Sequence, residues 1–382
     1  MDFALTKEEQ MLRDMARNFA EREIIPNRDE WNENRRFPIE IFQKMAKLGL
    51  MGLLIPEKYG GSEATTVGFA AALEEIARAD QSVAAPLNAH LTIGSIPFLL
   101  YGTEEQKQKW LVPLAEGEKI GAFGLTEPNA GSDAAGVETR AELDGNEWLI
   151  NGAKQFISNT GTDMSQGVVI LVVTGKAEDG KKRFSVIMVP QGTPGYTVGK
   201  RFKTIGWRGL DSREQIFQDC RVPKDNLIGE EGKGLRHFME TLDVGRISVA
   251  ALGLGLAQAC LEVSLEYAKT RVQFGRPISK FQAIQFKLAD MATELEMARL
   301  INFKAAWLRD HGKPYAMEAA MAKMVASATA MRAANEGLQI HGGYGFTEEY
   351  VISRFFQDAK ILEIGEGTNE IQHIVIARLL GC

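Results

Sequence analysis

The stretch Val168-Val169-Ile170-Leu171-Val172-Val173 decides the fold class of this chain, because an unbroken run of β-branched and apolar residues is typical of a buried strand. A second such run follows at Phe184 to Val189, and Pro194-Gly195 separates it from later strands. The turn dipeptides Asp144-Gly145 and Asn151-Gly152 bracket a further apolar segment. These signals all fall between residues 120 and 229 and predict a β domain there.

Helical periodicity dominates on both sides of this region. Thr6-Lys7-Glu8-Glu9 predicts a capping box, and Pro38 and Gly49 predict the start and end of a second helix. Later stretches predict helices at about 232–270, 280–310, 315–340 and 368–380, which is enough for a four-helix bundle. The predicted fold class is α+β, mostly α: an N-terminal α-helical domain at 1–119, a middle β domain at 120–229 and a C-terminal helical bundle at 230–382.

Composition excludes several classes of protein. The chain is 45% hydrophobic with a net charge of −6, so neither nucleic acid nor an anionic membrane is an expected partner. Ile247 to Leu261 is apolar but short for a membrane span, and we expect a buried helix without stable membrane insertion. The cysteines are scattered and odd in number, and Met1 to Thr6 lack the features of a secretory signal. We therefore expect a cytoplasmic protein, or a mitochondrial matrix protein for a processed eukaryotic chain. Because no two histidines stand at ligand spacing, we expect no metal site.

One carboxylate has the context of a general base. In Ile364-Gly365-Glu366-Gly367-Thr368-Asn369-Glu370, Glu366 lies between two glycines and follows an apolar run. The glycines permit a tight turn and the close approach of a second molecule, and Thr368 is a suitable N-cap for the last helix. Burial would raise the pKa of such a carboxyl, and a helix N-terminus would lower it. The alternative is a solvated glutamate at a helix start, and these seven residues do not decide between the two.

Three other segments could contact a ligand. Gly124 to Asp133 collects small and hydroxyl residues that expose backbone donors, although a plain turn explains it equally well. Gln339 to Phe346 has three glycines after a long helix, which suits either a helix end or the approach of a diphosphate. Arg271 to Pro277 is a basic, aromatic turn that is either solvated or contacts a phosphate. By contrast, Gly253-Leu254-Gly255 lies inside a predicted helix, and no Ser or Thr follows Lys233 in Gly229 to Gly234, so neither is a nucleotide loop.

Taken together and in this order, these motifs resemble the acyl-CoA dehydrogenase family over essentially the whole chain. Leu125-Thr126-Glu127-Pro128 through Gly131-Ser132-Asp133 matches one family signature, and Gln339 to Asp358 matches the second. The Glu366 segment completes the set. The residues 241–247 and 284–291 are similar to the short-chain, butyryl-CoA-dehydrogenase-like members, including those for short branched chains.

The resemblance implies a β-barrel-like middle domain, a homotetramer built as a dimer of dimers, and non-covalently bound FAD near a subunit interface. It places Glu366 at the catalytic base. It implies substrate contacts for Ser132, Asp243, Arg246, Gly365 and Gly367. Residues implied to contact FAD are Phe123, Leu125, Thr126, Gly131, Ser132, Phe156, Ile157 and Ser158, with Arg271, Phe274, Gln282, Gln339, Gly342 and Gly343 reaching the FAD of a neighbouring subunit, and Thr368, Asn369 and Glu370 completing the contact.

The chemistry implied by the resemblance is α,β-dehydrogenation of a short or branched acyl-CoA to the trans-2-enoyl-CoA, as in fatty acid β-oxidation. Glu366 would remove the α-proton, flavin N5 would take the β-hydride, and electrons would pass to an electron-transfer flavoprotein. Two alternatives stay open: an oxidase of the same fold that returns electrons to oxygen, and a catalytically silent homologue that only binds acyl-CoA or FAD.

Four positions bear on this interpretation. The family has a second possible base position, which is Gly245 here, so the role returns to Glu366. Phe156 stands where tryptophan is usual, and His341 replaces an apolar residue. Gly365 stands where a bulky tyrosine is common, which predicts a wider acyl pocket; the alternative is that Gly365 only provides a positive φ.

Overall fold

The N-terminal region is helical, and the computed structural model describes residues 4–382 of the chain. The predicted capping box is confirmed: Thr6 Oγ1 accepts the Glu9 N–H at 3.3 Å, and the Glu9 carboxylate accepts the Thr6 N–H at 2.8 Å. Pro38 precedes the second predicted helix, and Gly49, with φ of +73°, follows its end. The helices are α1 Lys7–Phe19, α2 Arg28–Glu33, α3 Ile39–Lys47, α4 Thr66–Ala79, α5 Gln81–Ala89, α6 Ile96–Tyr101, α7 Glu104–Gln106 and α8 Val112–Ala115.

The middle region is one mixed sheet. Its strands are β1 Phe123–Gly124, β2 Arg140–Asp144, β3 Glu147–Ser158, β4 Gly167–Lys176, β5 Lys182–Pro190, β6 Tyr196–Arg201, β7 Ser212–Pro223 and β8 Leu227–Ile228. Their hydrogen-bonded order is β6-β7-β3-β2-β4-β5-β8, with β1 paired parallel to β4. The run that opens at Val168 forms most of the buried part of β4, and Phe184 to Val189 forms most of β5, as predicted.

The prediction of a turn at Asn151-Gly152 is wrong. Strand β3 runs straight through this dipeptide, which forms a β-bulge opposite β7 between Ile150 and Gly152. The Asn151 amide is held within the sheet, because its Oδ1 accepts the Asp219 N–H at 2.9 Å and its Nδ2 donates to Asp219 Oδ1 at 3.2 Å. Asn-Gly suits any backbone with positive φ, so the dipeptide serves a bulge as readily as a hairpin turn.

The C-terminal region is a bundle of long helices. After α9 Gly234–Thr270, a two-stranded hairpin interrupts the helical pattern, and the shorter helix Val351–Ala359 is one that the periodicity does not predict. The remaining bounds agree with the predicted helices to within two residues. The elements are β9 Val272–Gln273, β10 Arg276–Pro277, α10 Gln282–Asp310, α11 Ala316–His341, α12 Val351–Ala359 and α13 Asn369–Leu379.

Helix α9 joins the two helical regions through one hydrophobic core. Its glycines allow neighbouring helices to approach: a Cβ on Gly255 would overlap the Glu74 carbonyl of α4, and one on Gly253 would lie 2.9 Å from the Ala326 carbonyl of α11. These glycines therefore serve packing, in agreement with their exclusion as a nucleotide loop. The core that results includes Phe69 of α4 and Leu252 of α9, and it places the end of α5 beside the Glu366 segment.

Burial explains the most apolar helices. Helix α9 and the segment Gln81–Tyr101 are long and apolar enough to span a membrane by length and composition, so shortness does not exclude a span at Ile247 to Leu261. In each case, however, 78% of the apolar window is buried inside the protein. The predicted buried helix is thereby confirmed.

Candidate active site

Glu366 lies in a strained turn between α12 and α13. The turn begins with hydrogen bonds from the Ile364 and Gly365 N–H groups to the Ile361 carbonyl, at 3.0 and 2.7 Å. Glu366 itself has a φ of +52°, in the left-handed region that non-glycine residues rarely adopt, and Gly367 follows with a φ of +95°. Such a backbone costs on the order of 1–3 kcal/mol and is concentrated at functional sites. Its presence at the predicted base favours the functional interpretation over that of a solvated loop residue.

The Glu366 carboxylate is asymmetric. Its Oε1 accepts a hydrogen bond from Asn88 Nδ2 at 3.1 Å, whereas Oε2 is shielded from solvent and has no hydrogen-bond partner within residues 4–382. Burial raises the pKa of this carboxyl to about 7, and the Asn88 amide and the charges of Lys323 and Arg246 act in the opposite direction. A carboxylate with one free oxygen and a pKa near neutrality has the properties of a general base.

Helix α9 lines one side of the carboxylate. Gly245 leaves the space that Glu366 fills, and the next residue, Arg246, is buried with Nε unpartnered. Arg246 Nη1 donates a short hydrogen bond to Asp243, one turn earlier. Burial raises the pKa of the Asp243 carboxyl, and Arg246 opposes that effect. Of the predicted substrate-contacting residues, Arg246 is thus close enough to Glu366 to act on it by charge, and Asp243 pairs with Arg246.

A buried lysine lies near Glu366. Lys323 of α11 is fully buried, and its Nζ donates to Asn369 Oδ1 at 3.1 Å; Ser327 Oγ donates to the same oxygen at 3.0 Å. Burial lowers the pKa of the Lys323 ammonium to about 8, opposed chiefly by Glu366. The Thr368 side chain caps α13 by accepting the Ile371 N–H, as predicted. Lys323 therefore fixes the start of α13 and adds positive charge near Glu366.

The residues assigned to FAD in the middle domain gather on two adjacent segments. The Gln155 N–H donates to the Thr126 carbonyl at 2.8 Å, which joins the loop after β1 to β3. Phe156 has a φ of +61° and is 61% exposed, so its ring is available to a ligand. Phe123 and Ile157 point into hydrophobic cores, which leaves their backbone for contact. Leu125, Thr126 and Ser158 are half-buried, and Gly131 and Ser132 are exposed.

A second group of predicted FAD residues lines a groove of about 510 Å³ on the bundle. Arg271, Gly342 and Gly343 border it, together with His341, whose ring stacks on Tyr267 at 4.2 Å. A Cβ on either glycine would meet no heavy atom within 4 Å, so the backbone is open to a ligand. The neighbouring hairpin exposes 93% of Phe274, and Gln282, Gln339 and Glu370 are also exposed. Glu366 is not part of this groove, in keeping with two separate contact regions.

One premise about Gly365 is wrong. The positive φ lies at Glu366 and Gly367, not at Gly365, whose backbone is one that other residues adopt. A Cβ on Gly365 would meet only the Ile361 carbonyl, at an ordinary contact distance of 3.4 Å. The glycine is therefore not required by the backbone, and the interpretation that it widens a pocket gains support.

Sequence reasoning did not find Asn88 or Lys323. Asn88 lies 278 residues from its partner, in a helix with no motif, and Lys323 reads as an ordinary helical lysine. The one available signal was a lysine within an Ala- and Met-rich stretch, since a buried lysine needs a partner.

Three family models match successive parts of the chain. Residues 6–118 match the model described as acyl-CoA dehydrogenase, N-terminal domain, and residues 122–220 match the middle domain. Residues 232–381 match the acyl-CoA dehydrogenase C-terminal domain. The matches follow one another in the order of the helical, β and helical regions of the structure.

Two similar proteins cover nearly the full length. The Bacillus subtilis (strain 168) protein called "Probable acyl-CoA dehydrogenase YngJ" is 51% identical over 380 residues, covering 100% of both chains. Acryloyl-CoA reductase (NADH) of Anaerotignum propionicum is 46% identical over 380 residues, covering 99% of this chain and 95% of the relative.

Solved structures show the same fold. Butyryl-CoA dehydrogenase from Megasphaera elsdenii has a TM-score of 0.97 at 44% identity, covering 100% of both chains. A chain solved in work on the electron transferring flavoprotein of Acidaminococcus fermentans has a TM-score of 0.96 at 43% identity, covering 100% of this chain and 99% of the other. An acyl-CoA dehydrogenase complexed with FAD from Bacillus anthracis has a TM-score of 0.93 at 34% identity, covering 98% of this chain and 67% of the other.

Proposed function

The chain belongs to the acyl-CoA dehydrogenase family, and from this premise we propose that it catalyses the α,β-dehydrogenation of a short or branched acyl-CoA to the trans-2-enoyl-CoA. It is an FAD-dependent oxidoreductase that acts on the CH–CH bond of acyl-CoA and passes electrons to an electron-transfer flavoprotein. Its similarity to butyryl-CoA dehydrogenase and to a chain solved in work on an electron transferring flavoprotein supports the reaction and the acceptor.

The observation that carries this proposal is the Glu366 carboxylate, in which Oε1 accepts one hydrogen bond and Oε2 is shielded from solvent. Removal of a weakly acidic α-proton needs a base that is aligned, desolvated and close to its pKa at the working pH. Glu366 Oε2 is buried and unpartnered, and the pKa of the carboxyl is about 7. Asn88 holds the other oxygen, so the free oxygen has a defined direction. Glu366 would accept the α-proton at Oε2.

The residues present fit FAD. Gly131, Gly342 and Gly343 leave open space at their backbones, and Arg271 borders the groove without a carboxylate partner among residues 4–382. The exposed ring of Phe156 and the backbone of Thr126 would hold the flavin end, and Arg271 with Gly342 and Gly343 would hold the diphosphate of a neighbouring subunit's FAD. When bound, FAD supplies the acceptor for the β-hydride.

A homotetramer is part of the proposal, because a shared cofactor requires adjacent subunits. Exposed apolar side chains support association through the bundle. On α10, Phe286, Met297, Leu300 and Trp307 are each more than two-fifths exposed. At the C-terminus, Ile374, Leu379 and Leu380 are more than half exposed. Large apolar surfaces of this kind usually mark protein interfaces.

Glu366→Gln tests the assignment of the base. The amide preserves shape but cannot accept the α-proton, so reduction of bound FAD by butyryl-CoA or isobutyryl-CoA should slow by about 10²–10⁴-fold, as measured by anaerobic stopped-flow bleaching. FAD content and acyl-CoA binding should not change. Glu363→Gln is the matched control, since Glu363 lies in the same segment but pairs with Lys360 at 2.6 Å. Bleaching of Glu366→Gln at the wild-type rate would refute this role.

A second direction of the same chemistry is favoured by one observation, the 46% identity to acryloyl-CoA reductase (NADH). A base with a pKa of about 7 is present in both protonation states near neutral pH, so protonated Glu366 could return a proton to the α-carbon of an enoyl-CoA. Rates of enoyl-CoA reduction with NADH and an electron-transfer flavoprotein, compared with rates of acyl-CoA oxidation, distinguish the two directions. Rapid aerobic turnover with release of peroxide would instead indicate an oxidase.

A further inference from the structure

The N-terminal region makes a direct contact with the catalytic carboxylate. Asn88, at the end of α5, donates from Nδ2 to Glu366 Oε1 at 3.1 Å across 278 residues of sequence. Asn88 is 3% exposed, so water cannot readily replace this bond. The bond engages Oε1 and leaves Oε2 without a hydrogen-bond partner among residues 4–382.

We propose that Asn88 is a positioning residue for the base, which holds Glu366 Oε1 so that Oε2 is the oxygen presented to the α-proton. The inference rests on the proposed function and adds to it a residue from a different domain. Glu366 sits on a short turn, and Asn88 donates the one side-chain hydrogen bond that its carboxylate accepts within residues 4–382, so this bond can fix the carboxylate plane. Preorganised groups of this kind lower the barrier because they need no rearrangement during the reaction.

Asn88 is itself firmly held. Thr92 Oγ1 donates to the Asn88 backbone carbonyl at 2.7 Å and lies 3.4 Å from Asn88 Oδ1, while Asn88 Nδ2 is directed at Glu366. The chain then forms a π-helical turn at His90–Gly94, a local widening that is common at functional sites. His90 anchors this turn by donating from Nε2 to the Met51 carbonyl at 2.9 Å and accepting the Gly121 N–H at Nδ1, 3.0 Å away.

The His90 side chain does not change its protonation state near neutral pH. Burial lowers the pKa of His90 to about 4, so the ring stays neutral at neutral pH and its two hydrogen bonds persist. His90 therefore adds no pH dependence to the Asn88 contact near neutral pH, where the groups that titrate are Glu366, with a pKa of about 7, and the neighbouring Lys323, with a pKa of about 8. This separates the titration of the base from that of its support.

Charged groups act on Glu366 from two other helices. Arg246, paired with Asp243, approaches from α9, and Lys323 approaches from α11. Glu363 on the preceding turn and Glu370 on α13 act on Lys323. Within residues 4–382, these groups influence Glu366 through charge, whereas Asn88 makes the hydrogen bond that the carboxylate accepts. Only the Asn88 contact is directional and able to distinguish Oε1 from Oε2.

Asn88→Ala and Asn88→Asp in the holoenzyme test the proposal. Loss of a hydrogen bond to a charged group predicts about a ten- to hundredfold lower rate of flavin reduction by butyryl-CoA, with KM unchanged. The lost donor had favoured the ionised carboxylate, so the acid limb of the pH–rate profile should move about one unit higher in Asn88→Ala. In Asn88→Asp it should move further, because a second carboxylate opposes ionisation of the first.

The order of the two variants distinguishes a positioning role from a structural one. If Asn88 were purely structural, the isosteric Asn88→Asp would be tolerated better than Asn88→Ala. The proposal predicts the opposite: at pH values below its shifted acid limb, Asn88→Asp should reduce flavin more slowly than Asn88→Ala. Ser95→Ala is the matched control, since Ser95 is fully buried and donates to the His90 carbonyl in the same turn without contacting Glu366. It should retain the wild-type profile.

An infrared pH titration of the Glu366 carboxyl, with Glu366→Gln as the reference, gives a readout independent of turnover. The titration should move upward in both Asn88 variants, including in any variant with reduced thermal stability. An unchanged titration and rate in Asn88→Ala, or the same loss in Ser95→Ala, would overturn the proposal. Failure of the wild type to bleach with any acyl-CoA would refute the proposed function instead, and the infrared shift would still report on the Asn88 contact.

Discussion

Gly245 and Glu366 share one space: a Cβ built on Gly245 would overlap Glu366 Oε2, the oxygen that has no hydrogen-bond partner. Gly245 lies well inside α9, where glycine lowers helix stability by about 0.5–1 kcal/mol relative to alanine. The helix therefore carries a destabilising residue where a side chain would displace the base.

Gly245→Ala should separate stability from activity. The added methyl group favours the helix but displaces Oε2, and a displacement of about 1 Å can reduce a rate about 10²-fold. We expect a melting temperature equal to or above that of the wild type, with a much slower flavin reduction in stopped-flow experiments. In a Glu366→Gln background, Gly245→Ala should add no further loss. A wild-type rate in the single variant would show that the carboxylate moves aside without consequence.

Lys323→Met should move the acid limb of the pH–rate profile upward. The positive charge of Lys323 lowers the pKa of Glu366, so without it the pKa rises above about 7 and less base is ionised at neutral pH. The difference from the wild type should shrink above about pH 8, where the wild-type ammonium also loses its proton. Flavin reduction rates measured from pH 6 to pH 9 test this expectation.

Thermal stability provides an independent check on Lys323. Its pKa is lowered from 10.5 to about 8 in the folded protein, so the charged form destabilises the fold below that value and the penalty disappears as the pH rises. Lys323→Met should therefore be at least as stable as the wild type at pH 7, with Ser327 still bound to Asn369. Lys304→Met, which removes an exposed lysine paired with the half-buried Glu318, is the control. A lower melting temperature with an unshifted acid limb would reduce Lys323 to a structural role.

Long periodic helices were the most predictable part of the fold. The expected segments 232–270 and 280–310 correspond to Gly234–Thr270 and Gln282–Asp310, because many turns repeat the same apolar spacing. Short signals were less informative. Asn151-Gly152 satisfied the rule for a turn, yet the pairing of β3 with β7 uses it as a bulge. Tertiary context decides between these outcomes, and a dipeptide does not contain it.

In the candidate active site, too, some features are predictable from the sequence and others depend on tertiary contacts. The turn around Glu366 was recognisable because glycines and a threonine cap stand close together in sequence. Asn88 was not, since its role depends on a contact created by the packing of the N-terminal helices against α9. The absence of a backbone requirement at Gly365 likewise became evident only from its φ. Sequence motifs therefore predict the local chemistry of the Glu366 turn, whereas long-range contacts and backbone angles can be known only from the folded structure.

Arg271→Ala should weaken retention of FAD. Arg271 borders the groove beside Gly342 and Gly343, and its guanidinium lies over the Tyr344 ring at 5.4 Å, which orients it without neutralising it. Hydrogen bonds to charged groups contribute about 1.5–3 kcal/mol, so the FAD dissociation constant should rise about ten- to a hundredfold, as measured by fluorescence during dialysis. Arg276→Ala alters the same hairpin at an exposed arginine and should retain FAD. Equal FAD content in all three proteins would contradict this assignment.

Gly365→Tyr should change substrate preference through shape. A Cβ at Gly365 meets only the Ile361 carbonyl at 3.4 Å, so a larger residue can be added without backbone strain at that position. If the space beside the base admits a methyl branch or a ring, tyrosine should fill it and leave a straight chain less affected. A misfit of one or two carbon atoms predicts that kcat/KM for isobutyryl-CoA falls about 10–200-fold more than kcat/KM for butyryl-CoA.

Gly365→Ala is the control for that substitution. Because the φ at Gly365 is not positive, alanine should stabilise the protein slightly, by about 0.4–1 kcal/mol, through a less flexible unfolded chain. It adds little bulk, so the ratio of the two specificity constants should stay close to that of the wild type. If tyrosine and alanine instead reduce both substrates by the same factor, the glycine serves the geometry of the Glu366 turn. Substrate preference would then be set by residues elsewhere around the acyl chain.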